Sequence, residues 1–127
     1  MATIVSVLHN KFDYYFWTCF YLLTEGELIV GPYQGSVACI KLKKDTGVCW
    51  AGINQKETII VPDVHQFPGH IACDSRSNSE IVVPLKDLNG KIIGVLDVDS
   101  KELNSFDEAD KEGLEKILTL VYPKVTK

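Results

Sequence analysis

The segment that most limits how this chain can fold is the run Ile92, Ile93, Gly94, Val95, Leu96, Asp97, Val98, Asp99. Side chains alternate across a strand, yet here the apolar residues occupy both parities, so the strand needs cover on both of its faces. A chain that carries such a strand has to build a layered domain around a buried sheet. Asp97 and Asp99 interrupt the pattern. Being two residues apart, they project to one face, and an unpaired buried carboxylate is costly. Either the strand has emerged into solvent by Asp97, or the two acids line a pocket that receives a cation or shares a proton. Glu80 raises the same question, because it opens the Ile81-Val82-Val83 strand directly after a polar stretch.

The remaining bulk properties narrow the class. A chain of 127 residues with 46% hydrophobic and 24% charged residues holds one hydrophobic core. A net charge of −4, with basic residues scattered except at Lys41, Lys43 and Lys44, argues against nucleic-acid binding. No apolar run approaches the roughly 20 residues of a membrane span. Residues 14–23 contain Thr18 and read as a buried strand, and the start lacks a basic region and cleavage site. The expectation is a cytoplasmic protein without membrane association. In that compartment Cys19, Cys39, Cys49 and Cys73 are expected as packing, metal or redox groups rather than static disulfides. Cys19, inside the apolar strand, reads as core.

Read along its length, the chain is one domain over residues 1–127, without repeats or linkers. Ile4, Val5, Val7 and Leu8 give a short helical pattern. Residues 14–23 and 27–31 are expected as strands joined by a hairpin at Thr24-Glu25-Gly26, with Gly31-Pro32 ending the second. Residues 37–42 should be extended, 47–55 a short helix and 58–61 a brief strand stopped by Pro62. Residues 80–85 and 91–99 form another antiparallel pair, with Asn89-Gly90 as the turn signal. Ser105-Phe106-Asp107-Glu108 reads as a capping box. Leu114, Ile117, Leu118 and Val121 continue as the apolar face of a terminal helix ended by Pro123. This order predicts an α+β fold, an antiparallel sheet with helices grouped on one face.

Residues 63–79 are different in kind. They include His65, Pro68, Gly69, His70, Cys73, Asp74 and Asn78, with few apolar anchors. A polar loop of this length in a compact domain is functional or disordered. Carboxyls crowded in a dry pocket raise one another's pKa, so one can stay protonated as a general acid, and together they receive an ammonium group. His65, His70 and Cys73 with Cys49 or Cys39 offer nitrogen and sulfur ligands, but at no spacing usual for a metal site. No metal and no cofactor is expected.

Six stretches in order resemble the free methionine-(R)-sulfoxide reductases, which are GAF-domain enzymes. They are Gly31-Pro32-Tyr33-Gln34-Gly35, Gly47-Val48-Cys49, Asp63-Val64-His65, Gly69-His70-Ile71-Ala72-Cys73-Asp74, Ser77-Asn78-Ser79-Glu80-Ile81 and Gly94-Val95-Leu96-Asp97-Val98-Asp99-Ser100. The resemblance runs from about Phe16 to the terminal helix. It implies a GAF-like fold and reduction of free methionine sulfoxide by a thiolate, with Cys73 as nucleophile and Cys39 as resolving cysteine. Cys49 holds the third cysteine position, as redox partner or auxiliary. Glu80, Asp97 and Asp99 would form the acidic part of the substrate site, and Trp17 and Tyr21 the aromatic pair at its border. Thioredoxin, or a similar dithiol, is the implied reductant. A homodimer is compatible with the sequence, which does not fix the oligomeric state. Two departures stand out: Trp50-Ala51-Gly52 where relatives carry a small Gly-Thr-Ala type sequence, and an N-terminal helical region shorter than the family's. The alternatives are a small-molecule sensor module, since fold alone does not fix function, and a folded reductase shell without activity.

Overall fold

The structure, a computed structural model, describes residues 1–70 and 74–122. Helix α1 (Ala2–Lys11) leads into strands β1 (Trp17–Thr24) and β2 (Glu27–Gln34). The turn between them is two residues long, with Glu25 at φ 52° and Gly26 at φ 80°, the backbone that matches strand twist in a tight hairpin. A two-residue β3 (Lys41–Leu42), helix α2 (Gly47–Gln55) and β4 (Ile59–Val61) follow. Strands β5 (Ser79–Lys86) and β6 (Ile92–Ser100) form the second long hairpin, and α3 (Glu108–Leu118) closes the described chain. The six strands make one antiparallel sheet in the order β3-β2-β1-β6-β5-β4. No helix among the described residues is long and apolar enough to cross a membrane.

The α+β architecture is the expected one. Strand β6 lies in the middle of the sheet and separates two apolar layers, as its double-parity pattern demands. On one face Phe20, Ile81, Val83, Leu96 and Val98 pack with Val5, Leu8, Leu114 and Leu118 of α1 and α3. On the other, Trp17, Cys19, Tyr21, Val82 and Val95 pack with Val48, Cys49 and Trp50 of α2. Helices therefore cover both faces: the one-face grouping holds for α1 and α3, and α2 takes the opposite side. The hydrophobic residues of α2 (Val48, Trp50, Ile53) provide that second cover.

Several local expectations change. Strand β1 begins at Trp17, leaving residues 14–16 outside it, and α3 ends at Leu118, short of Val121. Strand β2 continues through Gly31-Pro32 to Gln34 instead of stopping. The β1–β2 register shifts between Cys19 and Tyr21, and β3 pairs only with Leu28 and Ile29. Pro32 thus falls at an irregularity beyond the reach of β3, where a missing N–H is tolerated. Only Lys41 and Leu42 of residues 37–42 pair as strand. The cap of α3 is Asp107, reciprocated by Asp110, two residues beyond the expected Ser105. Ser105 instead bonds Ser100 Oγ at 2.7 Å and the Glu102 carbonyl. In α1, Val5 and Leu8 are buried while Val7 is exposed. Pro123 lies outside the described residues.

Candidate active site

Strand register builds the site. On neighbouring strands β1, β6 and β5, Trp17 pairs with Asp99 and Asp99 with Glu80; two residues along, Cys19 pairs with Asp97 and Asp97 with Val82. All of these point to the α2 face, so three carboxyls from two strands meet beside an aromatic wall. The N-terminal turn of α2 forms the opposite wall. Trp17, Tyr21, Thr46, Gly47, Cys49, His70, Asp74, Ser77, Glu80, Asp97 and Asp99 line one small cavity, with about 40 Å³ of free space. Of the two alternatives for the acids, the structure takes the pocket: Glu80 and Asp97 are 4% and 5% exposed.

The acids share the cavity with few partners. Cys49 Sγ donates to Asp97 Oδ2 at 3.3 Å and Ser77 Oγ to Asp99 Oδ2 at 3.3 Å. The other oxygens, Asp97 Oδ1 and Asp99 Oδ1, are buried without a hydrogen-bond partner among the described residues. Burial, and then the charges of Asp97 and Asp99, push Glu80 well above the ordinary carboxylate range. Burial and the Asp97 charge do the same to Asp99. Asp97 is raised by burial too, but its hydrogen bonds with Glu80 and Cys49 favour its ionised form. Crowding therefore favours retention of a proton within the group, and Asp97 is the member whose ionised form its neighbours favour most.

Neighbouring groups are tuned by the same dryness. Burial, and then the Asp97 and Glu80 charges, raise the Cys49 thiol well above its usual value, so Cys49 is a protonated donor here. His70 Nδ1 stands 3.9 Å from Glu80 Oε1 while its Nε2 is buried and unpartnered among the described residues. Burial lowers the His70 pKa, with Asp97 opposing it. Among the described residues, no Lys or Arg lines the cavity. It is a largely buried, acidic recess with an aromatic wall, a pattern suited to an ammonium group and to proton donation.

A GAF domain family model matches residues 2–121. The chain is 52% identical over 122 residues to GAF domain-containing protein A of Dictyostelium discoideum, covering 95% of this chain and 76% of that protein. It is 41% identical over 118 residues to free methionine-R-sulfoxide reductase of Escherichia coli (strain K12), covering 93% of this chain and 71% of that enzyme. The chain belongs to the free methionine-R-sulfoxide reductase family of GAF domains. A solved structure of free methionine-R-sulfoxide reductase from Neisseria meningitidis in complex with its substrate matches this GAF domain with a TM-score of 0.89 at 42% identity. That match covers 94% of this chain and 72% of the Neisseria chain.

Six of the eight residues singled out in the sequence line the cavity of this GAF domain: Trp17, Tyr21, Cys49, Glu80, Asp97 and Asp99. Cys39 stands behind the aromatic wall, its carbonyl accepting the Tyr21 hydroxyl at 3.0 Å. Cys73 lies outside the described residues. Cys19 is fully buried core, as read. The Trp50 indole is also buried, and its N–H donates to the Leu42 carbonyl at 3.4 Å. Of the nitrogen and sulfur ligands considered for a metal, His65 is exposed and pairs with Asn78 Oδ1 at 3.0 Å. The donors that do converge among the described residues are Cys49, Glu80 and Asp97, with ligand atoms within 4.8 Å of one another. Sequence reading assigned no role to Ser77 or to the α2 N-terminus (Thr46 and Gly47), although Ser77 and Gly47 open two of the resembling stretches. Neither carries a periodic signal, and only the fold brings them to the acids.

Proposed function

We propose that this GAF domain reduces free methionine-(R)-sulfoxide to methionine. The observation that carries the reading is the row Glu80, Asp99 and Asp97 facing Trp17 and Tyr21 in a cavity whose described lining holds no Lys or Arg. A free amino acid brings an ammonium group to such acids, whereas a methionine inside a peptide does not. The aromatic pair suits the methyl sulfide end, through sulfur–aromatic contacts of about 0.3–1.5 kcal/mol. Relatives that carry this activity in their names match most of the chain, which supports the same assignment.

In the proposed reaction the Cys73 thiolate attacks the sulfoxide sulfur while a protonated carboxyl, Glu80 or one of the aspartates, gives its proton to the oxygen. The oxygen then passes as hydroxyl to the Cys73 sulfur while its bond to the substrate sulfur and the transient S–S bond break, so methionine leaves reduced by two electrons and Cys73, oxidised by two, is left as a sulfenic acid. Cys39 then displaces that hydroxyl as water to form a disulfide, which thioredoxin or a similar dithiol reduces by exchange. Cys39 is itself disulfide-bonded, which supports its place in the redox step. The protonated state of Cys49 supports an auxiliary role for it rather than attack.

An NADPH-coupled thioredoxin assay with free methionine-(R)-sulfoxide tests the proposal. The wild-type chain should turn over, Cys73→Ser should be inactive, and Cys39→Ser should release about one equivalent of methionine and stall. A domain that only senses the ligand would consume no thiol on mixing, and full turnover by Cys73→Ser would remove Cys73 from the mechanism.

A further inference from the structure

Outside the acidic row, one more built feature touches this cavity. Residues 35–39, which lead from β2 to Cys39, run as a strap over the aromatic wall. The Trp17 indole N–H donates to the Ser36 carbonyl at 2.9 Å, and the Tyr21 hydroxyl to the Cys39 carbonyl. Gly35 starts the strap at φ +123°, where an added Cβ would press on the Trp17 ring. The strap is tied to a second segment at one carboxylate. Ser36 Oγ donates to Asp74 Oδ2 at 2.7 Å. Arg76 occupies both oxygens of the same group, through Nε at 3.0 Å and Nη2 at 2.7 Å, and its backbone N–H adds a bond at 2.9 Å. Arg76 is itself seated over the Phe16 ring, 4.7 Å from the centroid.

Asp74 follows Cys73 in the chain, and Ser36 lies three residues before Cys39. We propose that Asp74, held by Arg76 and Ser36, is a positioning residue that latches the Cys39 strap to the segment after Cys73 and so governs disulfide closure. This rests on the reductase reading above. In that step the Cys39 sulfur attacks the Cys73 sulfenic sulfur, an S–S bond forms, the S–O bond breaks, and the hydroxyl departs as water with the thiol proton. The Cys39 sulfur is oxidised as the sulfenic sulfur is reduced, so no further oxidant enters. Reactions of this kind depend steeply on approach geometry, a misplacement of about 1 Å costing roughly a hundredfold. The four hydrogen bonds to Asp74 keep its carboxylate charged, well below the ordinary range, with the Arg76 bonds as the leading cause.

The test separates the two chemical steps. Pre-reduced protein is mixed with one equivalent of free methionine-(R)-sulfoxide and quenched at intervals. Methionine is quantified, and the Cys73 sulfenic acid is trapped with dimedone and read by mass spectrometry beside the disulfide. Ser36→Ala and Arg76→Ala should release methionine at the wild-type rate yet close the disulfide about tenfold more slowly, and Ser36→Thr should restore closure. Asp74→Asn should slow closure at least as much. Closure at the wild-type rate in all three variants, or an equal slowing of both steps, overturns the latch. A parallel series with hydrogen peroxide forms the sulfenic acid without substrate. Should the wild type fail to reduce the sulfoxide, the reductase reading falls while the peroxide series still reports on the latch. Thermal melts of each variant show whether a slowed closure reflects lost folding.

Discussion

A thiol sealed beside carboxyls behaves as a hydrogen-bond donor first and a nucleophile last. Cys49 is 4% exposed, and its Sγ donates to Asp97, the carboxyl most disposed to ionise in the row. In the proposed reaction its service is to occupy one oxygen of Asp97 and fix the orientation of that carboxylate. Cys49→Ser should preserve turnover within about threefold, because a hydroxyl donates in the same place. Cys49→Ala leaves a buried acceptor unpaired, a loss of about 1–3 kcal/mol, and kcat/KM should fall by roughly tenfold or more. Parallel kinetics and free-thiol counts on the two variants check this. Equal damage in both would mean that the sulfur itself reacts.

At the scale of elements, the two long hairpins carry the site because β1 and β6 meet closely. Gly94, paired with Leu22 across that junction, has no room for a side chain: a Cβ there would run into the Tyr21 carbonyl oxygen. The obstacle is backbone and cannot swing away, so Gly94→Ala should destabilise the fold by about 2–3 kcal/mol, measured by chemical denaturation. The hairpins were legible from their dense apolar runs and from their turn residues. Helix α2 was legible between Gly47 and Gln55. Pro32 misled because proline stops a strand only where its absent N–H is needed, and that depends on how far β3 reaches. The cap of α3 misled because Ser105…Glu108 and Asp107…Asp110 both satisfy the same short spacing. What decides between them is a distant use of the Ser105 hydroxyl at Ser100. The pairing of Glu80 with Asp99 could not be read from either strand alone. It follows from register, which is a property of the hairpin as a whole.

For the whole molecule, the acidic recess is a stability cost with a definite pH signature. Glu80, Asp97 and Asp99 have folded-state pKa values raised by burial, above the roughly 4 of an unfolded chain. The folded state therefore binds more protons, and stability should decline as pH rises above about 4 toward those raised values. Asp74 and Asp107 are shifted the other way, the first mainly by Arg76 and the second by its hydrogen bonds to Asp110. Their contribution is lost only as pH falls below about 4. Melting temperature should thus drop by a few degrees between pH 5 and pH 8, and Asp99→Asn should flatten that slope. A melting temperature that rises across this interval would contradict the burial of the acids. The ends of the sheet have a consequence of another sort. Its border strands, β3 and β4, are only two and three residues long. They give a stranger's backbone only short ladders, and where β2 and β5 run past them a proline, Pro32 or Pro84, interrupts the edge and withholds an N–H from any added strand.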